Sequence, residues 1–143
     1  RLRRLIHRCQ LEHRVKLVGA VPRHNLMARM ATSDALLFPS LRDGGGTVVI
    51  EAMSAAKPVV CLDIGGPGLH ITEECGIKIT PTSSEETAQK LADALERLYL
   101  DEGLRSKLGE AGRERGQLGG VGRDLREGEE GESDGATCNR TPA

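Results

Sequence analysis

The sequence predicts an α/β domain built on an open, doubly wound parallel sheet. Strand-like and helix-like segments alternate along the chain. The strand-like segments are apolar at nearly every position, which marks strands covered by helices on both faces of a parallel sheet. Composition agrees: 38% of the 143 residues are apolar but only 1% are aromatic, so the core must be aliphatic. This length suits one domain and leaves no room for a second of similar size.

Leu2, Leu5, Ile6 and Cys9 recur at helical spacing and read as the end of a helix. Val15-Lys16-Leu17-Val18 reads as a short strand stopped by Gly19. Asn25 to Ala31 forms a short helix that buries Leu26, Met27 and Met30. Asp34 to Phe38 is an apolar strand ending at Pro39, and Thr47 to Ala56 is the next helix. Pro58 to Leu62 is another apolar strand, Gly65-Gly66-Pro67-Gly68 a loop, and Gly76 to Thr80 a further strand. Ser83 precedes Glu86 by three residues, a capping box that opens a helix with Ala88, Leu91, Ala92, Leu95 and Leu98 on its apolar stripe.

The two ends differ in charge. Residues 1–30 hold eight Arg and Lys and one acid, Glu12; residues 124–134 hold six acids and one base, Arg126. The basic start reads as a solvated helix face. The chain opens in mid-helix on Arg1-Leu2-Arg3-Arg4, without a signal segment, and reads as a fragment, incomplete at its start. The domain is expected over residues 1–116. Residues 117–143, rich in glycine and acids, are expected to be a disordered tail.

Several classes of function are disfavoured. Net charge is −1, with Phe38 the single Phe, Tyr99 the single Tyr and Trp absent, which argues against nucleic-acid binding. No apolar run is long enough to span a bilayer. Cys9, Cys61, Cys75 and Cys138 form no C-x-x-C pair, so no metal site is expected. Reduced thiols suit a cytoplasmic protein.

Open α/β sheets bind ligands beyond the carboxyl ends of their strands. The loop after Phe38 runs Pro39-Ser40-Leu41-Arg42-Asp43-Gly44-Gly45-Gly46 directly into the helix at Thr47. Glycines admit close approach of a ligand to the backbone, and a helix start presents free N–H groups and a positive dipole end. A glycine run by itself reads as a flexible turn with Thr47 as a simple cap, while Gly44, Gly45 and Gly46 leading into the helix start at Thr47 and Val48 offer an anion site suited to a diphosphate. Asp43 before the glycines and Glu51 eight residues later flank it with carboxylates able to accept hydrogen bonds from sugar hydroxyls. Taken alone, Asp43 also reads as a turn residue and Glu51 as an acid stabilising its own helix start. Arg42 and Asp63 read as a solvent-facing cation and a turn acid. Of His7, His13, His24 and His70, His70 alone is placed to approach the cleft, and it reads as a surface histidine.

The run Pro39-Ser40, acid, glycines, Glu51-Ala52-Met53 and Lys57-Pro58-Val59-Val60 resembles the retaining nucleotide-sugar glycosyltransferases of family four. The similarity covers about residues 12–115 and takes in Val15–Val21 and Gly65-Gly66-Pro67-Gly68. It implies a Rossmann-like half of a GT-B enzyme, the half that binds the nucleotide-diphosphate sugar. The full enzyme would transfer the sugar, with retention at the anomeric carbon, to a sugar or lipid-linked acceptor held by a domain missing here. Peripheral membrane association of that full enzyme is compatible with this. The resemblance implies no metal or other cofactor. It makes Asp43 and Glu51 the catalytic pair, Asp43 on the transferred sugar and Glu51 on the ribose. Asp43 stands where the family usually has Glu, and Lys57 where it usually has Gly. This chain by itself is expected to be inactive in transfer. Two other readings are a nucleotide-binding regulatory module and an inactive truncated fragment.

Overall fold

The computed structural model describes residues 1–117. The tail expected after Gly116 therefore lies, from residue 118 on, outside the described residues. Within them the order is α1 (Leu2–Arg8), α2 (Arg23–Thr32), β1 (Leu36–Phe38), α3 (Thr47–Ser54), β2 (Val59–Leu62), α4 (Gly65–His70), β3 (Gly76–Ile79), α5 (Ser84–Leu100) and α6 (Glu102–Gln117).

The three strands form one open parallel sheet in the order β1-β2-β3. Leu36 sits opposite Val59, and Val59 opposite Gly76. All four residues of β2 are buried, as a central strand covered on both faces requires. Alternate side chains of a strand point to opposite faces, and the core divides accordingly. Val59 and Cys61 join Met30 of α2 and Val49, Ala52 and Met53 of α3. Val60 joins Ala94 and Leu98 of α5 and Leu108 of α6. Helices thus cover both faces, as the sequence predicts.

Five sequence expectations change. Val15–Val18 is not a strand: it makes no ladder among the described residues, and Val15, Leu17 and Val18 stay 39, 43 and 51% exposed. The free edge of β1 is left uncovered by it, and a short apolar run without hydrogen-bonding neighbours has nothing to hold it extended. Gly65–Gly68 is no plain loop but the first part of α4, where the Gly68 N–H bonds the Ile64 carbonyl at 3.3 Å. Pro67 is tolerated because the first-turn amides of a helix lack partners anyway.

The stripe of α5 runs through Leu91, Ala94, Leu95 and Leu98, while Ala88 and Ala92 face solvent. Ser83 accepts from the Glu86 amide at 3.2 Å, but the Glu86 carboxylate pairs with Lys90 at 2.7 Å, so only half of the capping box forms. Finally, α6 is an added helix. Its start is capped by Asp101, whose carboxylate accepts from the Leu104 amide at 2.8 Å.

α6 packs closely on the chain that leaves α3 because Gly109 lacks a side chain: a Cβ there would collide with the Ala56 carbonyl oxygen. Nothing lies within 4 Å of the corresponding position at Gly116 on the same helix. Gly109→Ala is expected to cost about 1–3 kcal/mol through overpacking, against its helix-propensity gain. Gly116→Ala is expected to stabilise by up to about 1 kcal/mol. Urea unfolding of the two variants checks the opposite signs.

Burial raises the Cys61 thiol from 9.0 to about 11, partly offset by Lys78. The folded thiol keeps its proton while the unfolded one loses it, so this contribution is intact below pH 9.0 and lost as pH rises toward about 11. The stability advantage of the wild type over Cys61→Ala is expected to narrow across that window in urea titrations.

Candidate functional site

The carboxyl ends of β1 and β2 are neighbours in the sheet, with Phe38 opposite Cys61. The segments that leave them are therefore brought together. The loop from Pro39 to Gly46 and the start of α4 meet through glycines. A Cβ on Gly66 would stand 2.6 Å from the Gly44 oxygen and 2.8 Å from the Gly45 carbonyl carbon. The Gly66 amide donates to the Asp43 carbonyl at 3.2 Å. The two backbones touch because neither carries a side chain at the contact.

Gly46 turns the loop into α3. It is the N-cap residue, at φ 60° and ψ 23°, a left-handed conformation that glycine adopts without penalty. A Cβ there would also meet His70 Cδ2 at 2.8 Å and the Gly66–Pro67 backbone at 3.1 Å. No side chain caps the helix. The Gly46 amide is taken by Asp43 Oδ1 at 2.6 Å, and the Gly46 carbonyl accepts from Val49 and Ile50 at 2.9 and 3.1 Å. The amides of Gly44, Gly45, Thr47 and Val48 have no acceptor among the described residues. Those of Thr47 and Val48 are first-turn amides of α3, at the positive end of its dipole, a place that suits an anion, and those of Gly44 and Gly45 lie in the loop just before it.

Asp43 combines both of its sequence readings. One oxygen closes the turn on Gly46, and the second has no hydrogen-bond partner among the described residues. Glu51 lies one turn beyond Thr47 and shares its face of α3, since residues four apart are neighbours on a helix. The opposite face, with Val49, Ala52 and Met53, is buried in the core.

Glu51 is only 12% exposed in its side chain, and its Oε1 pairs with Arg23 Nη2 at 2.7 Å. Arg23 opens α2 and is 77% exposed, so it approaches Glu51 from the solvent side. The sequence reading did not single out Arg23. Its only signal was a position between the Val21-Pro22 turn and the next helix, shared by many surface arginines.

His70 departs from its expectation. It is buried, 6% exposed, and its Nε2 lies 3.0 Å from the Gly45 carbonyl. A carbonyl only accepts, so Nε2 carries the proton. Its own carbonyl accepts from Arg115 Nε at 2.9 Å. Asp63 pairs with Lys78 at 2.9 Å. Arg42 is exposed and makes no ion pair among the described residues. No group of three or more His, Cys, Asp or Glu that could hold a metal ion occurs among the described residues. No helix there is long and apolar enough to cross a membrane.

Known proteins share this arrangement of chain. The family model for glycosyl transferases group 1 matches residues 1–115. The chain is 36% identical over 81 residues to the putative teichuronic acid biosynthesis glycosyltransferase TuaC of Bacillus subtilis, covering 57% of this chain and 20% of that protein. It is 35% identical over 103 residues to the sucrose synthase of Acidithiobacillus caldus, covering 67% of this chain and 13% of that protein. Among solved structures, sucrose-phosphate synthase from Thermosynechococcus elongatus aligns with a TM-score of 0.75 at 28% identity, over 91% of this chain and 33% of that one. Anabaena Alr3699/HepE in complex with UDP aligns with a TM-score of 0.69 at 25% identity, over 90% of this chain and 35% of that one. The chain thus spans a fifth or less of the length of TuaC and of that sucrose synthase. With the family match running through the whole described domain, this chain belongs to the glycosyl transferases group 1 family.

Proposed function

We propose that this chain is the donor-binding half of a retaining glycosyltransferase that uses a nucleotide-diphosphate sugar. The observation that carries the reading is the set of four amides at Gly44, Gly45, Thr47 and Val48 that have no acceptor among the described residues, flanked by the carboxylates of Asp43 and Glu51. HepE, which shares the fold, has been solved with UDP and with UDP-glucose, which supports this class of ligand.

In this reading the four amides hold the diphosphate. Glu51 accepts from the ribose hydroxyls, and the second oxygen of Asp43 accepts from a hydroxyl of the transferred sugar. As the glycosidic bond breaks, negative charge grows on the departing diphosphate. Fixed N–H dipoles stabilise that charge without reorganising, which is where such a site lowers the barrier. The acceptor, a sugar or a lipid-linked sugar, approaches the face from which the nucleotide leaves, so configuration is retained. No side chain on this chain needs a metal for these roles. The acceptor is held by a domain outside this chain, and the isolated chain binds nucleotide without turning over at an ordinary enzymatic rate.

Calorimetric titration with UDP, GDP and ADP tests the reading. One of the three is expected to bind, and Glu51→Ala is expected to weaken it roughly tenfold or more, the loss for a hydrogen bond to a charged group. Absence of binding by a folded chain, or equal binding by Glu51→Ala, would sink it. Gly46→Ala is expected to abolish binding as well, because its methyl must displace His70 or the Gly66–Pro67 backbone at 2.8 to 3.1 Å. Arg23→Ala, which removes a largely hydrated partner, is expected to change unfolding free energy by less than about 1 kcal/mol.

A further inference from the structure

We propose that His70 is a positioning residue for the donor loop, acting through the single peptide unit that joins Gly45 to Gly46. The inference rests on the reading of that loop as the diphosphate and sugar site.

Both ends of that peptide are held by side chains. Its carbonyl oxygen, on Gly45, accepts from His70 Nε2 at 3.0 Å. Its N–H, on Gly46, donates to Asp43 Oδ1 at 2.6 Å. In a trans peptide the C=O and N–H point in opposite directions, so His70 and Asp43 grip the plane from opposite sides. Rotation of the plane breaks both bonds together. The His70 ring also packs on Gly46, with Cδ2 2.8 Å from the place a Cβ would take.

The grip sets the electrostatics of the site. His70 is buried, so the Gly45 carbonyl is turned inward. A flipped peptide would turn that oxygen outward among the free amides of Gly44, Gly45, Thr47 and Val48. Its partial negative charge would then oppose an incoming diphosphate. The flip would also release Asp43, whose carboxylate would lose the bond that sets its direction.

His70 is itself fixed from behind. It is the last residue of α4, and its carbonyl accepts from Arg115 Nε of α6 at 2.9 Å. The strap therefore runs from Arg115 through His70 and the Gly45–Gly46 peptide to Asp43. A purely packing role for the ring would be met by any apolar side chain of similar size. A positioning role needs a donor at the place of Nε2.

The test uses the full chain, labelled with nitrogen-15, and UDP as the probe. The Gly46 amide proton, short-bonded to a carboxylate, is expected far downfield, with Asp43→Ala as the reference lacking that bond. His70→Leu is expected to move the Gly46 resonance toward the Asp43→Ala position and to weaken UDP roughly tenfold, the loss expected when a buried acceptor is left unmade. His70→Gln, which offers an N–H near the same place, is expected to restore the resonance and bring UDP affinity back to within about threefold of wild type. Should His70→Leu fail to fold, His70→Asn replaces it, since its shorter amide falls short of Gly45. A Gly46 resonance unmoved in a folded Leu or Asn variant overturns the proposal, and so does failure of Gln to restore it. A wild-type chain that ignores UDP, GDP and ADP removes the donor-site reading instead, and the Gly46 resonance still decides the strap.

Discussion

The absence of side chains where two backbones cross governs this site. The loop after β1 and the start of α4 leave adjacent strands and must share one small space at the carboxyl edge of the sheet. Gly66 lies against Gly44 and Gly45 at 2.6 to 2.8 Å from where its Cβ would stand, and Gly46 lies against Gly66 and Pro67 at 3.1 Å. That interlock lets the Gly66 amide reach the Asp43 carbonyl and lets His70 arrive under the Gly45 carbonyl. It also consumes the inward-facing polar groups of the loop. The amides of Gly44, Gly45, Thr47 and Val48 are left without an acceptor among the described residues, so the same packing that closes the loop inward leaves donors over.

Architecture and site were legible in the sequence to different degrees, for physical reasons. Parallel strands are recognisable because burial on both faces makes them continuously apolar, and β1, β2 and β3 lie within the predicted runs. Asp43, the glycines and Glu51 stood out in the sequence because small residues, a helix start and two carboxylates fall within one short segment, and the fold gathers that segment at the carboxyl edge of the sheet. Val15–Val18 shows the limit of the same rule: an apolar run becomes a strand only if another strand pairs with it. α6 was missed because its signal is thin. Asp101, Leu104, Leu108 and Ala111 carry it among many charged residues, and Gly109 and Gly112 weaken it as helix while enabling its packing.

Long-range contacts were the least legible. His70 lies 25 residues from Gly45 and 45 from Arg115, and each bond is to a backbone carbonyl. A backbone acceptor exists at every residue, so no residue type at the far end announces the contact. The pairing of Arg23 with Glu51 is similar in kind: two opposite charges 28 positions apart have no local pattern, and only the packing of α2 beside α3 brings them together.

The Asp at position 43 now has a structural argument. In the family resemblance this place usually carries Glu, which reaches one methylene farther. A short Asp side chain folds back readily onto an amide a few residues ahead, the geometry that makes Asp a turn former. Here that amide is Gly46, at 2.6 Å, on the very peptide whose carbonyl His70 holds. A side chain one methylene longer would have to fold back farther to meet the same amide. The short residue at 43 therefore serves the rigidity of its own loop. In a chain that fixes the Gly45–Gly46 peptide with a buried histidine, the two features support each other: His70 orients the plane, and Asp43 can close on it only because the plane is oriented.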